Sequence, residues 1–205
     1  MGESIEAVLF DFTGVLTTSP WPAMSASVQG ELELLVGPYH DDTDHPWHRL
    51  ERGEITIGEW MTAVQVLAEA AGAVLDLGPM QALLDNLSVH DQVVAHVRTL
   101  RAEGFATALV TNNVREGSDK WRAMIPVDEL FDAVVDSSAV GMRKPNPAIY
   151  RHTLELLGSV APGQAVFLDD VESNLVGARA AGLHTILVGD PPDPALVELD
   201  GLLGR

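Results

Sequence analysis

The stretch that decides the fold reads Ala-Val-Leu-Phe-Asp-Phe-Thr-Gly-Val-Leu, residues 7 to 16. Its apolar beginning predicts a buried β-strand over residues 5 to 10, and Gly14 predicts a tight turn shortly after it. Asp11 lies between the strand and the turn. Because ligands of open α/β sheets bind beyond the carboxyl ends of the strands, we expect Asp11 to lie in a functional site.

Two later apolar runs also end in polar residues. Thr111 closes the first run, and Asp169 and Asp170 close the second, while Lys144 stands between them in Gly-Met-Arg-Lys-Pro. Each residue alone has an ordinary structural explanation, such as a strand end, a solvated lysine or a helix cap. Their convergence on one edge of a parallel sheet favours a shared site.

The order and context of these residues resemble the four signature motifs of the haloacid dehalogenase (HAD) superfamily, carried in turn by Asp11, Thr111, Lys144 and the pair Asp169 and Asp170. The match spans nearly the whole chain. It is similar to the members with a helical cap after the first strand, among them the phosphatase domain of soluble epoxide hydrolase. The resemblance implies a hydrolase that acts through an aspartate nucleophile.

The hydrophobic pattern predicts an α/β fold with a Rossmann-like, doubly wound parallel sheet. A helix is predicted from residue 91 to 103, and strands and helices then alternate, which is typical of parallel sheets with helices on both faces. The further strands are predicted at 106–110, 132–135, 165–168 and 184–188.

The strand pattern disappears between residues 17 and 88, where helical periodicity takes over. Helices are predicted over 28–36, 57–71 and 79–87, with Gly72 as the stop of the second. We interpret residues 17–88 as an inserted helical cap, and residues 1–16 and 89–205 as the HAD-like core.

The formal charge of −18, from 12 Lys and Arg against 30 acids, argues against binding to nucleic acid. A small anionic substrate would have to be attracted by nearby groups such as Lys144, Arg143 or a divalent cation. No apolar run reaches the roughly 20 residues that span a bilayer, and the first residues lack the basic start of a signal peptide. We expect a cytoplasmic protein without membrane contact, either a monomer or a homodimer.

The HAD resemblance implies a Mg²⁺ site around Asp11. Its ligands would be one oxygen of Asp11, the backbone carbonyl of Thr13 and one carboxylate of the pair that follows the fourth strand. The resemblance favours Asp170 as the direct ligand and Asp169 as its neighbour.

The resemblance also implies how a phosphorylated substrate is held. Asp11 would be the nucleophile, and Thr111 and the backbone amide of Asn112 would bind phosphate oxygens. Lys144 would neutralise charge and keep Asp11 ionised.

Thr13 departs from the family pattern. HAD phosphatases usually carry a second Asp two residues after the nucleophile, which protonates the leaving group and then activates water. A threonine hydroxyl cannot do this at neutral pH, and losing a general acid/base costs about 10² to 10⁴ in rate. We therefore expect slow turnover unless the leaving group is good, with metal binding preserved through the carbonyl of Thr13.

Three functions remain open on this pattern. The favoured one is a Mg²⁺-dependent phosphatase of small phosphorylated metabolites. A 2-haloacid dehalogenase-like hydrolase is the second, because halide needs no protonation, although such enzymes work without Mg²⁺. A phosphate-binding or regulatory protein with impaired catalysis is the third, motivated by Thr13.

The segment from residue 37 to 54 contains three histidines and several acids, which invites a metal-site hypothesis. A polar cap loop is the commoner explanation, and we favour it. Trp21, Trp47 and Trp60 could line the substrate side of the cap, but aromatic residues there are more often part of a core, and we assign them no role.

Overall fold

The computed structural model describes residues 4–20, 32–38, 41–75 and 86–205. Its centre is a parallel sheet of five strands in the order β3-β2-β1-β4-β5, which confirms the predicted fold class. The strands are β1 Ala7–Phe10, β2 Ala106–Thr111, β3 Ala133–Asp136, β4 Ala165–Asp169 and β5 His184–Leu187. All five lie within two residues of the predicted positions.

The register of the central strand aligns the carboxyl ends of its neighbours. Phe10 of β1 pairs with Leu109 of β2 on one side and with Leu168 of β4 on the other. The residues that follow these positions therefore meet at one edge of the sheet. Asp11, Thr111 and Asp169 all reach that edge.

Apolar side chains of β1 alternate between the two faces of the sheet. Val8 and Phe10 belong to the buried cluster on one face, and Ala7 and Leu9 belong to the cluster on the other. Burial on both faces explains why the strand is continuously apolar rather than alternating, as is typical of a sheet covered by helices on each side.

The α-helices of the described residues lie between the strands, except for the last one, which follows β5. They are α1 Leu32–Val36, α2 Pro46–Glu51, α3 Ile57–Ala71, α4 Asp91–Ala102, α5 Ser118–Arg122, α6 Val127–Leu130, α7 Ser137–Val140, α8 Pro147–Leu156, α9 Glu172–Ala180 and α10 Asp193–Leu203. None of these described helices is long and apolar enough to cross a membrane.

Helix α3 has the boundaries predicted from the sequence. Thr56 and Glu59 form a reciprocal capping box at its start, and Gly72 adopts a left-handed conformation with φ of 68° at its end. Of the predicted helix 28–36, residues 32–36 are helical, and residues 28–31 lie outside the described part. Most of the predicted helix 79–87 also lies outside it.

Helices α1, α2 and α3 share an apolar cluster of their own. Leu35, Leu50, Trp60 and Val64 are buried in it, and Trp60 Nε1 donates a hydrogen bond to the carbonyl oxygen of Leu35 at 3.3 Å. This cluster favours the interpretation of residues 17–88 as a separate cap, and the domain boundaries themselves stay a prediction.

Candidate active site

Asp11 lies in a closed turn at the end of β1. Its backbone amide donates to the carbonyl oxygen of Leu168 at 2.9 Å, and its Oδ1 accepts from the amide of Phe12 at 2.6 Å. Gly14 has a φ of 86° and donates to the carbonyl oxygen of Thr17 at 2.9 Å. Asp11 is only 6% exposed, so the turn holds its carboxylate in one place.

Lys144 bridges two carboxylates at the same edge. Its Nζ lies 2.7 Å from Asp11 Oδ1 and 2.7 Å from Asp169 Oδ2, and the residue is 1% exposed. Burial alone would lower the pKa of Lys144, but the two carboxylates outweigh it and raise that pKa. Lys144 is thus a buried ammonium ion and not a solvated surface charge.

A third carboxylate leaves the cluster with excess negative charge. Ligand oxygens of Asp11, Asp169 and Asp170 lie within 4.8 Å of one another. Burial raises the pKa of Asp11 well above its ordinary value, and the charges of Asp169 and Asp170 add to this while Lys144 opposes it. One ammonium ion facing three carboxylates leaves room for a second cation.

The two aspartates after β4 differ in how their oxygens are satisfied. Asp169 Oδ1 accepts from the amide of Val171 at 2.8 Å, and both of its oxygens accept from Asn174 Nδ2 at 3.0 Å. Asp170 Oδ1 is buried without a hydrogen-bond partner. Burial, with repulsion from Asp169, raises the pKa of Asp170 to about 6. A hard cation would fit the free oxygen of Asp170 better than those of Asp169.

Gly14 allows Asp170 to approach the turn that follows Asp11. A Cβ atom at position 14 would lie 2.1 Å from Asp170 Oδ2. The sequence indicated this glycine only as a turn residue, whereas the structure gives it a second reason: its missing side chain is the space that the carboxylate fills.

Thr111 and Asn112 take up different positions at the end of β2. Thr111 is 1% exposed at the strand terminus. The side chain of Asn112 donates to the carbonyl oxygen of Lys144 at 3.0 Å, and its Oδ1 accepts from the amide of Lys144 at 2.8 Å. This double hydrogen bond fixes the backbone of Lys144, a role that sequence reasoning missed.

The loop that carries Lys144 is also fixed from its other side. A Cβ atom on Gly177 of α9 would lie 1.9 Å from the carbonyl oxygen of Pro145. Only a glycine lets the helix approach the loop this closely. The position of Lys144 therefore depends on Asn112 and on Gly177.

Arg143 does not point its charge at the carboxylate cluster, which corrects the expectation that it helps to attract an anion. Its Nε donates to Glu51 Oε2 at 2.7 Å, and its Nη1 donates to the carbonyl oxygen of Asp41 at 2.7 Å. Arg143 and Glu51 are both 5% exposed. Burial raises the pKa of Glu51, and Arg143 opposes this rise. Arg143 thus links the Lys144 loop to residues 41–51.

The histidines described between residues 37 and 54 serve the local backbone. His48 Nδ1 lies 3.0 Å from the amide nitrogen of Thr43, and burial lowers the pKa of His48 to about 4. His45 accepts from the amide of Trp47 at the start of α2. Within the described ranges, the aspartate cluster is the one group of three metal-ligand side chains. His40 lies outside the described residues.

A pocket of about 480 Å³ opens beside Thr13, between the apolar cluster of α1–α3 and the core. Trp47 and Trp60 line it on one side and Trp121 on the other. Trp47 and Trp60 thus line the pocket and also pack in the α1–α3 cluster, where Trp60 is buried. Trp21 lies outside the described residues.

Residues 5–182 match the family model of the haloacid dehalogenase-like hydrolases. The chain belongs to this family. The solved structure of a predicted HAD-like family hydrolase from Porphyromonas gingivalis has the same fold, with a TM-score of 0.68, 22% identity and coverage of 96% of this chain and 98% of that one. A HAD family enzyme from Bacteroides thetaiotaomicron, solved in complex with magnesium and inorganic phosphate, gives 0.64 at 22% identity, covering 91% and 95%.

Relatives in sequence fall into two groups by length. The chain is 36% identical to mouse acyl-CoA dehydrogenase family member 10 and 31% identical to rat bifunctional epoxide hydrolase 2, over 99% and 98% of its own length. It spans 20% and 39% of those longer proteins. Phosphatase MT3486 of Mycobacterium tuberculosis is 26% identical and is covered over 95% of its length, against 97% of this chain. The resemblance to the epoxide hydrolase relatives is confirmed.

Proposed function

We propose that this hydrolase is a Mg²⁺-dependent phosphatase of small phosphorylated metabolites, acting through Asp11. The observation that carries the proposal is the cluster of Asp11, Asp169 and Asp170 around Lys144, with one buried oxygen of Asp170 left without a partner. The similarity to Phosphatase MT3486 of Mycobacterium tuberculosis supports the reaction class.

The donor set fits Mg²⁺, a hard cation that takes oxygen ligands. Asp11, Asp170 and the backbone carbonyl of Thr13 would hold the ion, and Asp169 would stay with Lys144 and Asn174. When bound, the ion would offset the negative charge that otherwise keeps an anionic phosphate away from three carboxylates.

The residues of the chain carry the reaction itself. A carboxylate oxygen of Asp11 forms a bond to phosphorus while the bond from phosphorus to the leaving oxygen breaks, and the electron pair departs with that oxygen. Thr111 and the backbone amide of Asn112 bind the phosphate oxygens. Lys144 favours the ionised form of Asp11 and holds its carboxylate in place, because its Nζ lies 2.7 Å from Oδ1. Water then cleaves the aspartyl phosphate, which returns the carboxylate and releases phosphate.

Thr13 makes turnover slow on alkyl phosphates in this proposal. It lines the pocket two residues after Asp11, where the HAD resemblance puts the acid that protonates the leaving oxygen, and its hydroxyl supplies no acid at neutral pH. We further propose that the protein acts in the cytoplasm, as a monomer or a homodimer, with residues 17–88 as its cap.

A panel of phosphate esters and 2-haloacids, assayed with and without EDTA, tests the proposal. We expect phosphate release that EDTA abolishes and added Mg²⁺ restores. Thr13→Asp should raise the rate on an alkyl phosphate by at least about tenfold, whereas the isosteric control Thr13→Asn should not. Halide release that survives EDTA would instead establish a dehalogenase, and no release of either ion would favour a binding protein.

A further inference from the structure

The pocket beside Thr13 is built mainly from aromatic and aliphatic side chains. Phe12 packs against Trp121 with ring centroids 5.2 Å apart, and Trp47 packs against Trp60 at 5.4 Å. Both aromatic pairs line the same space of about 480 Å³, the first from the core of the sheet and the second from the α1–α3 cluster. Such a volume accommodates a ring and its substituents.

Few charged side chains line this pocket. Of the described lining residues, Glu116 and Lys120 carry the formal charges, and Glu116 Oε1 is already engaged by the amide of Ile57 at 3.0 Å. A sugar or polyol in this pocket would leave many hydroxyl groups without partners, which costs free energy. An apolar ring would bury its surface against the tryptophans.

The residue at position 13 restricts the leaving group independently of the pocket. Without an acid, the leaving oxygen must depart as an anion. Phenols have a pKa of about 10, as tyrosine does, whereas the pKa of water, which an alkyl alcohol resembles, lies far higher. A phenolate therefore leaves far more readily than an alkoxide.

We propose that the substrates are aryl phosphates, with the aromatic ring in the pocket between the two aromatic pairs. The inference rests on the proposed function and narrows its substrate class. Asp11 bonds to phosphorus as the bond to the phenolic oxygen breaks, and the phenolate takes its proton from water. The apolar walls select the ring, and Thr13 confines turnover to leaving groups that need no protonation.

Three phosphorylated probes, each assayed in the presence of Mg²⁺, test the leaving-group argument separately from the assignment of the pocket. Phenyl phosphate has the ring and the good leaving group, cyclohexyl phosphate has a ring of similar size with a poor leaving group, and acetyl phosphate has a good leaving group without a ring. We expect kcat for phenyl phosphate to exceed that for cyclohexyl phosphate by at least about 10²-fold. Its KM should be at least about tenfold below that of acetyl phosphate.

Each failure has a distinct meaning. Equal kcat for the phenyl and cyclohexyl esters would overturn the leaving-group argument, and equal KM for phenyl and acetyl phosphate would overturn the assignment of the pocket. Both results leave the proposed phosphatase intact. Phosphate release from none of the three probes would overturn the phosphatase and the aryl specificity together.

A pair of variants on helix α3 tests the location of the ring. Met61 lines the pocket and is 49% exposed, while Val66, 60% exposed on the same helix, is not part of the wall. Met61→Gln should raise the ratio of KM for phenyl phosphate to KM for acetyl phosphate by about fourfold, which corresponds to the free energy of burying one methylene group. Val66→Gln should leave the ratio unchanged, and equal ratios in the two variants would contradict the assignment.

Discussion

Replacing Arg143 with methionine should destabilise the protein by about 3 to 5 kcal/mol at neutral pH, the usual cost of removing one member of a buried ion pair. Its Nε lies 2.7 Å from Glu51 Oε2, and both residues are 5% exposed. The substitution leaves a buried carboxylate without its counter-charge. This loss is large, because the free energy of unfolding of a whole protein is typically only about 5 to 15 kcal/mol.

The destabilisation should depend on pH, with a sign that follows from Glu51. Burial raises the pKa of Glu51 and Arg143 opposes the rise, so the variant raises that pKa further above its unfolded value of about 4.3. The folded state tolerates the protonated carboxyl group of Glu51. Below the pKa of Glu51 in the unfolded state, the variant therefore keeps its full stability. It is lost as the pH rises through the folded pKa. Arg143→Met should therefore cost little near pH 4 and most near pH 8.

Urea unfolding of four proteins across this pH range is the assay: wild type, Arg143→Met, Glu51→Leu and the double variant. The double variant should be more stable than Arg143→Met at pH 8, because it lacks the Glu51 carboxylate that Arg143→Met leaves without a counter-charge. A loss below about 1 kcal/mol in Arg143→Met, or a loss that is the same at every pH, would refute the reasoning.

Two glycine substitutions test the packing of the site. Gly14→Ala places a methyl group 2.1 Å from a carboxylate oxygen of Asp170. This variant should weaken Mg²⁺ binding by at least about tenfold, as measured by calorimetry. Its control is Gly104→Ala, also at positive φ but with open space around it, which should leave Mg²⁺ binding unchanged. Gly177→Ala places a methyl group 1.9 Å from the carbonyl oxygen of Pro145 and should lower kcat by at least about tenfold through displacement of the adjacent lysine. Gly201→Ala, in a helix with nothing nearby, is its control, and equal effects in either pair would contradict the steric argument.

The sequence predicted the sheet well because burial on both faces makes each strand a continuous apolar run. It also predicted which residues meet, since parallel strands bring their carboxyl ends to one edge. Lys144 accordingly lies within ion-pair distance of both Asp11 and Asp169. These features depend on local pattern and on topology, which a single sequence carries.

The supports of the site depend on contacts that no local pattern encodes. Glu51 and Arg143 are 92 residues apart in the chain, and the side chain of Asn112 reaches a backbone segment 32 residues away. Gly177 looks like an ordinary helix glycine until Pro145 is placed against it. The sequence carries a weak indication for Asn112. It directly follows Thr111 at the end of a strand, so its polar side chain is expected near the same edge of the sheet.

Direct detection of phosphate on Asp11 is the most direct test of the phosphatase mechanism. Thr13 should slow hydrolysis of the intermediate, so wild-type protein quenched in acid after brief mixing with phenyl phosphate and Mg²⁺ should carry one phosphoryl group. Mass spectrometry should locate it on the peptide that contains Asp11, and Asp11→Asn should carry none. Steady release of phosphate by Asp11→Asn at the wild-type rate, or a phosphoryl group on another residue, would contradict the account.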